Sequence, residues 1–322
     1  MMLSPKHNVR QFHLPVVISI ALLIFVNLYV LANFSSDKTA AAETSTDKKS
    51  NLMTTDLNWP KDISTAMDFW WMLSVKETPL ALASPNKHEH EDNHQENSLR
   101  TLVFPNNTKR LWIDVGVHKE SDFIPNLKNE SDLFLIGFEP STKWKRCSHP
   151  QCVTLWAACT PTYDASVTLN IQDGDDLCNS ILPPQTNTTS KLWRGCVTQQ
   201  KTMNVPGIPL SEVVQRVPSS VAIEFVKIDA QGFDLEVMKG LLSVSDRVQV
   251  VVLEAMDVDD PKKMLYMGQP TLKQIVEFLA KKGWKHVKSV TNNKGLDEVN
   301  AFFVYNDKYA GEVERFAKYF QQ

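Results

Sequence analysis

Three carboxylates in this chain stand where chemistry is usually done, each at the end of a short apolar run. Asp114 and Gly116 fall at the end of 111–117 (LWIDVGV), and Glu139 and Pro140 close 133–140 (LFLIGFEP). Lys227 and Asp229 close the run that begins at Ala222 (AIEFVKID). A glycine turn lets a bound group approach the backbone. An acidic residue at the end of the next strand, about 20 residues on, suits hydrogen bonds to ribose hydroxyls. Gly116 and Glu139 have that relation.

The third run breaks at Gln231-Gly232, after which Phe233, Val237, Met238 and Leu241 recur at helical spacing. Asp234 and Glu236 lie in the first turn, where the helix dipole favours negative charge. The unit reads as strand, acidic tip, glycine turn, helix. Ligands of open α/β sheets sit outside the carboxyl ends of the strands, which is where Asp229 falls. The plainer alternative is that Asp229 only caps the helix.

These tips need a sheet to hold them. From residue 111 onward, short apolar runs alternate with helical segments, the pattern of a parallel sheet flanked by helices. Strands are expected at 111–117, 133–140, 153–159, 222–229 and 248–256, the last carrying Glu254. A half-exposed hairpin strand is expected at 166–172, and a long loop or insertion near the site at 173–206. An amphipathic helix over 272–284 turns Ile275, Phe278 and Leu279 inward. Two final strands, 286–290 and 301–306, join through the turn 292–295, and a surface helix follows from Tyr309. A doubly wound sheet ending in such a pair, with an antiparallel last strand, resembles the class I S-adenosylmethionine-dependent methyltransferase fold, a Rossmann-like α/β architecture.

The rest of the chain sets the context. With 322 residues, 43% hydrophobic, one folded domain plus an accessory N-terminus fits the uneven composition. A net charge of −3 and the lack of a basic stripe give no case for nucleic acid. Residues 14–32 are apolar apart from Ser19 and Asn27, long enough to cross a bilayer. Lys6 and Arg10 precede them, so 1–13 is expected as a cytoplasmic tail and the remainder as lumenal. The run is long for the alternative, a cleaved signal peptide. Residues 33–98 read as a stem with a possible docking helix at 62–75, whose Trp70 and Trp71 could instead form a substrate lip, and 99–322 as the folded domain. His88, His90 and His94 lie in a polar linker. Asn33, Asn106, Asn129 and Asn187 each open a glycosylation sequon. Of five cysteines, Cys147 with Cys152 and Cys178 with Cys196 could pair, leaving Cys159 as a buried thiol.

The ordered set of DVG at 114–116, FEP at 138–140, AC at 158–159 and KIDAQGFDLEVMKG at 227–240 resembles the FkbM-type methyltransferase family, over roughly 111–306. The resemblance implies S-adenosyl-L-methionine as cofactor. Asp114 and Gly116 would line its methionine end, Glu139 its ribose, and Pro140 and Ala158 would complete the cofactor site. Asp229 would lie near the sulfonium and the acceptor. Asp229 is then the first candidate base for an oxygen acceptor, assisted by Lys227 or His118. A divalent metal bridging Asp229 and Glu254 would lack a third ligand, so no metal site is assigned. The chain departs from the family after the first strand, where Gly116-Val117-His118-Lys119-Glu120 lacks a later glycine. Gln231 and Asp234 also stand where the family favours Glu.

The acceptor class implied is a small molecule or glycan bearing a hydroxyl, met in the ER or Golgi lumen. Two rivals stand beside this reading. A type II Golgi glycosyltransferase would use Asp173-Gly174-Asp175-Asp176 as a D-x-D metal element, although Asp and Gly are expected in any such turn. A lumenal binding protein with a degenerate cofactor pocket is the non-enzymatic reading.

Overall fold

The computed structural model describes residues 81–82, 101–144, 147–172, 176–189, 199–292 and 297–321. The expected tail, anchor, docking helix and histidine linker lie outside these, as do the stem apart from Ala81–Leu82, Asn33, Asp173 to Asp175, Cys196 and residues 293–296.

Seven strands form the main sheet: β1 (Arg110–Val115), β2 (Leu133–Phe138), β3 (Cys152–Leu155), β7 (Ala222–Ile228), β8 (Val248–Met256), β9 (Lys285–Thr291) and β10 (Glu298–Val304). A second sheet holds β4 (Ala158–Cys159), β5 (Asp164–Gln172) and β6 (Gln199–Ile208). The main order is β9-β10-β8-β7-β1-β2-β3. Neighbours from β8 to β3 pair in parallel, and β10 runs antiparallel to both β8 and β9. The antiparallel strand expected at the end of the chain is therefore inserted between its neighbours.

Apolar residues run almost unbroken through β1, β7 and β8 because both faces are covered. Leu111, Ile113 and Val115 of β1 face one core with Val251 and Leu253 of β8. Trp112 points the other way, into an aromatic cluster with Phe123, Phe225 and Phe316. Helices packed on the sheet include α1 (Asp234–Lys239) through the adjacent Val237 and Met238, and α2 (Leu272–Ala280) and α3 (Val313–Ala317) through residues one turn apart, Ile275 with Leu279 and Val313 with Phe316. Thr271 and Gln274 close a reciprocal capping box at the start of α2. The tail expected as a surface helix is a 3-10 turn followed by α3, and α3 is fixed by its buried face.

Two expectations are corrected. The single strand at 153–159 is two, because β2 ends before Pro140 and offers no ladder beyond that point. After Leu155 the chain leaves the sheet, and Ala158 and Cys159 pair instead with Gly207 and Ile208 of β6. The long loop at 173–206 ends in a strand, β6, which pairs along β5. Its Gln, Lys and Thr gave no apolar signal, and Pro206 falls at a register shift where a missing N–H costs little.

Cys147 and Cys152 are bridged, and Cys159 is a buried free thiol whose burial pushes its pKa up. Cys178 is disulfide-bonded as well. Among the described residues no helix is long and apolar enough to cross a membrane.

Candidate active site

The carboxyl ends of β1, β2 and β7 open onto one cleft. Gly116, His118, Glu139, Pro140, Ala158, Cys159, Asp229 and Gln231 line it, and Asp176 to Ile181, from the segment between β5 and β6, cover it. Five of the six expected cofactor residues meet there. The sixth, Asp114, does not.

Asp114 lies beneath the cleft floor, 2% exposed, directly across from Lys227 in the β1–β7 ladder. One oxygen accepts the Ser121 hydroxyl at 2.5 Å, and the other faces the Lys227 ammonium at 3.6 Å. Burial raises its pKa against the pull of Lys227 and Ser121. Asp114 is therefore a counter-ion, not a wall of the cleft.

Lys227 bridges Asp114 and Asp229, donating to the latter at 3.1 Å. Burial works to strip its proton, but the two aspartates and Glu254 outweigh it and raise its pKa above the ordinary lysine value. It stays an ammonium and cannot serve as a base. Its place is between two neighbouring carboxylates.

Asp229 takes the Lys227 ammonium on one oxygen and the Gln231 amide on the other, at 2.9 Å. Burial opposes its charge, yet Lys227 and hydrogen bonds from Glu254, Lys227 and Gln231 hold its pKa below the usual carboxylate range. It does not cap the helix. That turn is closed by Asp234, whose carboxyl accepts the backbone N–H groups of Ala230 and Gly232 at 3.1 and 3.0 Å. Burial and the nearby charge of Asp229 push Asp234 up to about 8. Burial, and then the charges of Asp229 and Glu298, push Glu254 well above its ordinary value. Among the described residues no group of three or more side chains is arranged to hold a metal ion.

Gly116 adopts φ +83°, and a Cβ there would meet the Asp229 carbonyl oxygen at 1.9 Å. The glycine is required by the close approach of the β1 and β7 tips. Val117 turns away and packs on Gly137 of β2, while Glu120, standing where the family has its later glycine, is exposed and outside the cleft. The altered loop therefore leaves the cleft open.

Glu139 accepts the backbone N–H of His118 and of Ser141, each at 2.8 Å, one on each oxygen. Burial pushes it up to about 7 against those two bonds. The His118 ring reaches Asp176 at 3.2 Å and stacks edge-on to Trp144. His118 thus sits on the Glu139 side, bonded to Asp176, and not against Asp229.

Sequence reasoning passed over Gln231 as a side chain, Tyr266 and Ser180, and read Asp176 only as part of a D-x-D element. Tyr266 lies 35 residues beyond Gln231, and its hydroxyl donates to the Gln231 side-chain oxygen at 2.9 Å. The one local signal was the Gln-Gly pair, whose residues both have positive φ.

A parallel sheet with strand order reversing at β1 and β7, an antiparallel strand next to its far edge and an acidic cleft at the strand tips defines the class I methyltransferase architecture. Residues 114–285, just over half of the chain, match the methyltransferase FkbM domain, and the chain belongs to that family. It is a methyltransferase, and the family implies S-adenosylmethionine as methyl donor. Among solved structures, the 16S rRNA (adenine(1408)-N(1))-methyltransferase from Catenulisporales acidiphilia is similar at 11% identity, over 62% of this chain and 87% of that one, with a TM-score of 0.32. A superposition that loose carries no weight for substrate or mechanism. No curated protein matches the chain.

The cleft suits that donor by its chemistry. Each Glu139 oxygen has used one lone pair on a backbone N–H, and a ribose supplies the hydroxyl donors a desolvated carboxylate lacks.

Proposed function

We infer that this protein is an O-methyltransferase acting on a hydroxyl of a glycan or other small acceptor in the secretory-pathway lumen, held at the membrane by residues 14–32. The observation that carries the reading is the convergence of Glu139, Gly116 and Asp229 on one cleft at the strand tips. Glu139, with Pro140 and Ala158, would hold the nucleoside of S-adenosylmethionine, and Asp229 would face its reacting end. When bound, that group supplies an electrophilic methyl on a sulfonium. The protein's share is alignment and electrostatic support. Asp229, held as a carboxylate, would accept a hydrogen bond from the acceptor hydroxyl and take up its proton as that oxygen is methylated. Lys227 keeps Asp229 ionised.

The lumenal placement is supported by the Cys147–Cys152 bridge and the disulfide state of Cys178, since such bonds persist in oxidising compartments. Asn106, Asn129 and Asn187 are exposed, as glycan acceptors must be. The glycosyltransferase rival loses support at Asp176, which is engaged by Lys143 and His118. The test is methyl transfer from S-adenosylmethionine to a panel of lumenal glycans, read by mass, with sugar nucleotides run in parallel. A gain of one methyl is expected. Sugar transfer without methylation overturns the reading.

A further inference from the structure

Gln231 is a non-glycine residue held at φ +51°, in a conformation that L side chains avoid unless their surroundings fix it. Four contacts do so. Its backbone oxygen accepts the hydroxyl of buried Ser180 at 2.7 Å. Its side-chain oxygen accepts the hydroxyl of Tyr266, itself 1% exposed. Its amide nitrogen donates to Asp229 at 2.9 Å and reaches Glu254 at 3.4 Å. Gly232 completes the lock, because a Cβ there would meet the Tyr266 ring at 2.8 Å.

The amide is thereby polar in one direction only. Turned over, it would set its oxygen against the Asp229 carboxylate, two acceptors facing each other. A donor whose own acceptor end is hydrogen-bonded is the stronger donor. The same Tyr266 hydroxyl also lies 3.2 Å from the Cys178 carbonyl, so the segment covering the cleft is tied to the orientation of this amide.

We propose that Gln231 is a positioning residue for methyl transfer, its locked amide fixing the direction and charge of the Asp229 carboxylate. This rests on the reading that Asp229 faces the acceptor. The groups facing Asp229 are Lys227 on its own strand, Asp114 on β1, Glu254 on β8, Glu298 on β10, Asp234 on α1, and Tyr266 with Gln231 above the turn. Gln231 joins Lys227 and Glu254 as a hydrogen-bond donor to Asp229. It gives Asp229 a hydrogen bond without adding the positive charge that a second lysine would bring.

The experiment is carbon-13 NMR of the full-length chain labelled at aspartate Cγ, with the Asp229 signal assigned by its loss in Asp229→Asn. The wild-type midpoint is expected below that of free aspartate. Gln231→Leu is expected to raise it by about one pH unit, and Gln231→Glu by more, since a like charge replaces a donor. Tyr266→Phe keeps the amide and is expected to raise it in the same direction by less. It decides the matter alone if the Gln231 variants fail to fold. An Asp229 midpoint unmoved by Gln231→Leu, or by Tyr266→Phe where that variant stands alone, overturns the proposal. Calorimetry with S-adenosylmethionine on the same wild-type sample separates the two layers. Heat of binding supports the role in methyl transfer, and its absence overturns that role even where the carboxylate midpoint moves as expected.

Discussion

Under the proposed assignment of Glu139 to the cofactor ribose, its pKa near neutrality makes cofactor binding depend on pH. Its pKa lies at about 7 because burial costs more than the His118 and Ser141 amides return. Ribose hydroxyls donate to the charged form and so favour it. Between pH 8 and pH 6 the ionised share of free Glu139 falls from roughly nine-tenths to roughly one-tenth, and the apparent Kd should rise about tenfold. The probe is 5′-methylthioadenosine, which keeps the ribose and lacks the amino-acid end that titrates in this range. Glu139→Gln preserves shape but has one acceptor oxygen for two backbone N–H groups. It should bind about ten to a hundred times more weakly at pH 8, from a loss of roughly 1.5–3 kcal/mol, with no slope between pH 6 and 8. Isothermal calorimetry on the full-length chain measures both. A wild-type Kd equal at pH 6 and 8, or a Gln variant binding as well as wild type, would refute the assignment of Glu139 to the ribose.

Lys227→Met leaves Asp114 and Asp229 without their shared cation and should cost on the order of 3–5 kcal/mol of stability by denaturant unfolding at pH 7, whereas a loss under about 1 kcal/mol would mean water reaches the pair. Asp234 titrates near pH 4 in the unfolded chain and at about 8 in the fold. Its contribution is thus full below pH 4 and is lost as pH rises toward 8, so Asp234→Asn should flatten the fall in unfolding midpoint between pH 5 and 8, and an unaltered slope would place its source elsewhere. Gly116→Ala sets a Cβ against the Asp229 carbonyl in a left-handed backbone, and should cost on the order of 3 kcal/mol in the same assay. Near-wild-type stability would show that the β1 and β7 tips are free to separate.

How far the site was legible depended on whether a residue's role is local. Gly116, Glu139 and Asp229 could be read because each ends an apolar run, and parallel strands buried on both faces announce their ends by the first polar residue. Asp114 could not be placed by that logic, since only its pairing across from Lys227 shows that it lies beneath the floor. The break after Leu155 was hidden because Trp156 and Ala157 continue the apolar run while leaving the ladder. Strand β6 was hidden by the opposite fault, a polar first half whose pairing with β5 carries no apolar alternation. Tyr266 and Ser180 reach Gln231 across 35 and 51 residues, and such contacts carry no periodic mark. The family's loop change at Glu120 looked costly in sequence and proves remote from the cleft, because Val117 turns the chain toward Gly137.

The central claim is that one cleft at the strand tips holds the methyl donor. Ultraviolet cross-linking of methyl-labelled S-adenosylmethionine to the full-length chain, followed by peptide mapping, addresses it directly. Label is expected on peptides spanning 138–140, 157–159 or 176–181, and should disappear in Glu139→Gln at limiting donor. Label confined to other peptides, or displaced by a sugar nucleotide and not by S-adenosylhomocysteine, would contradict it.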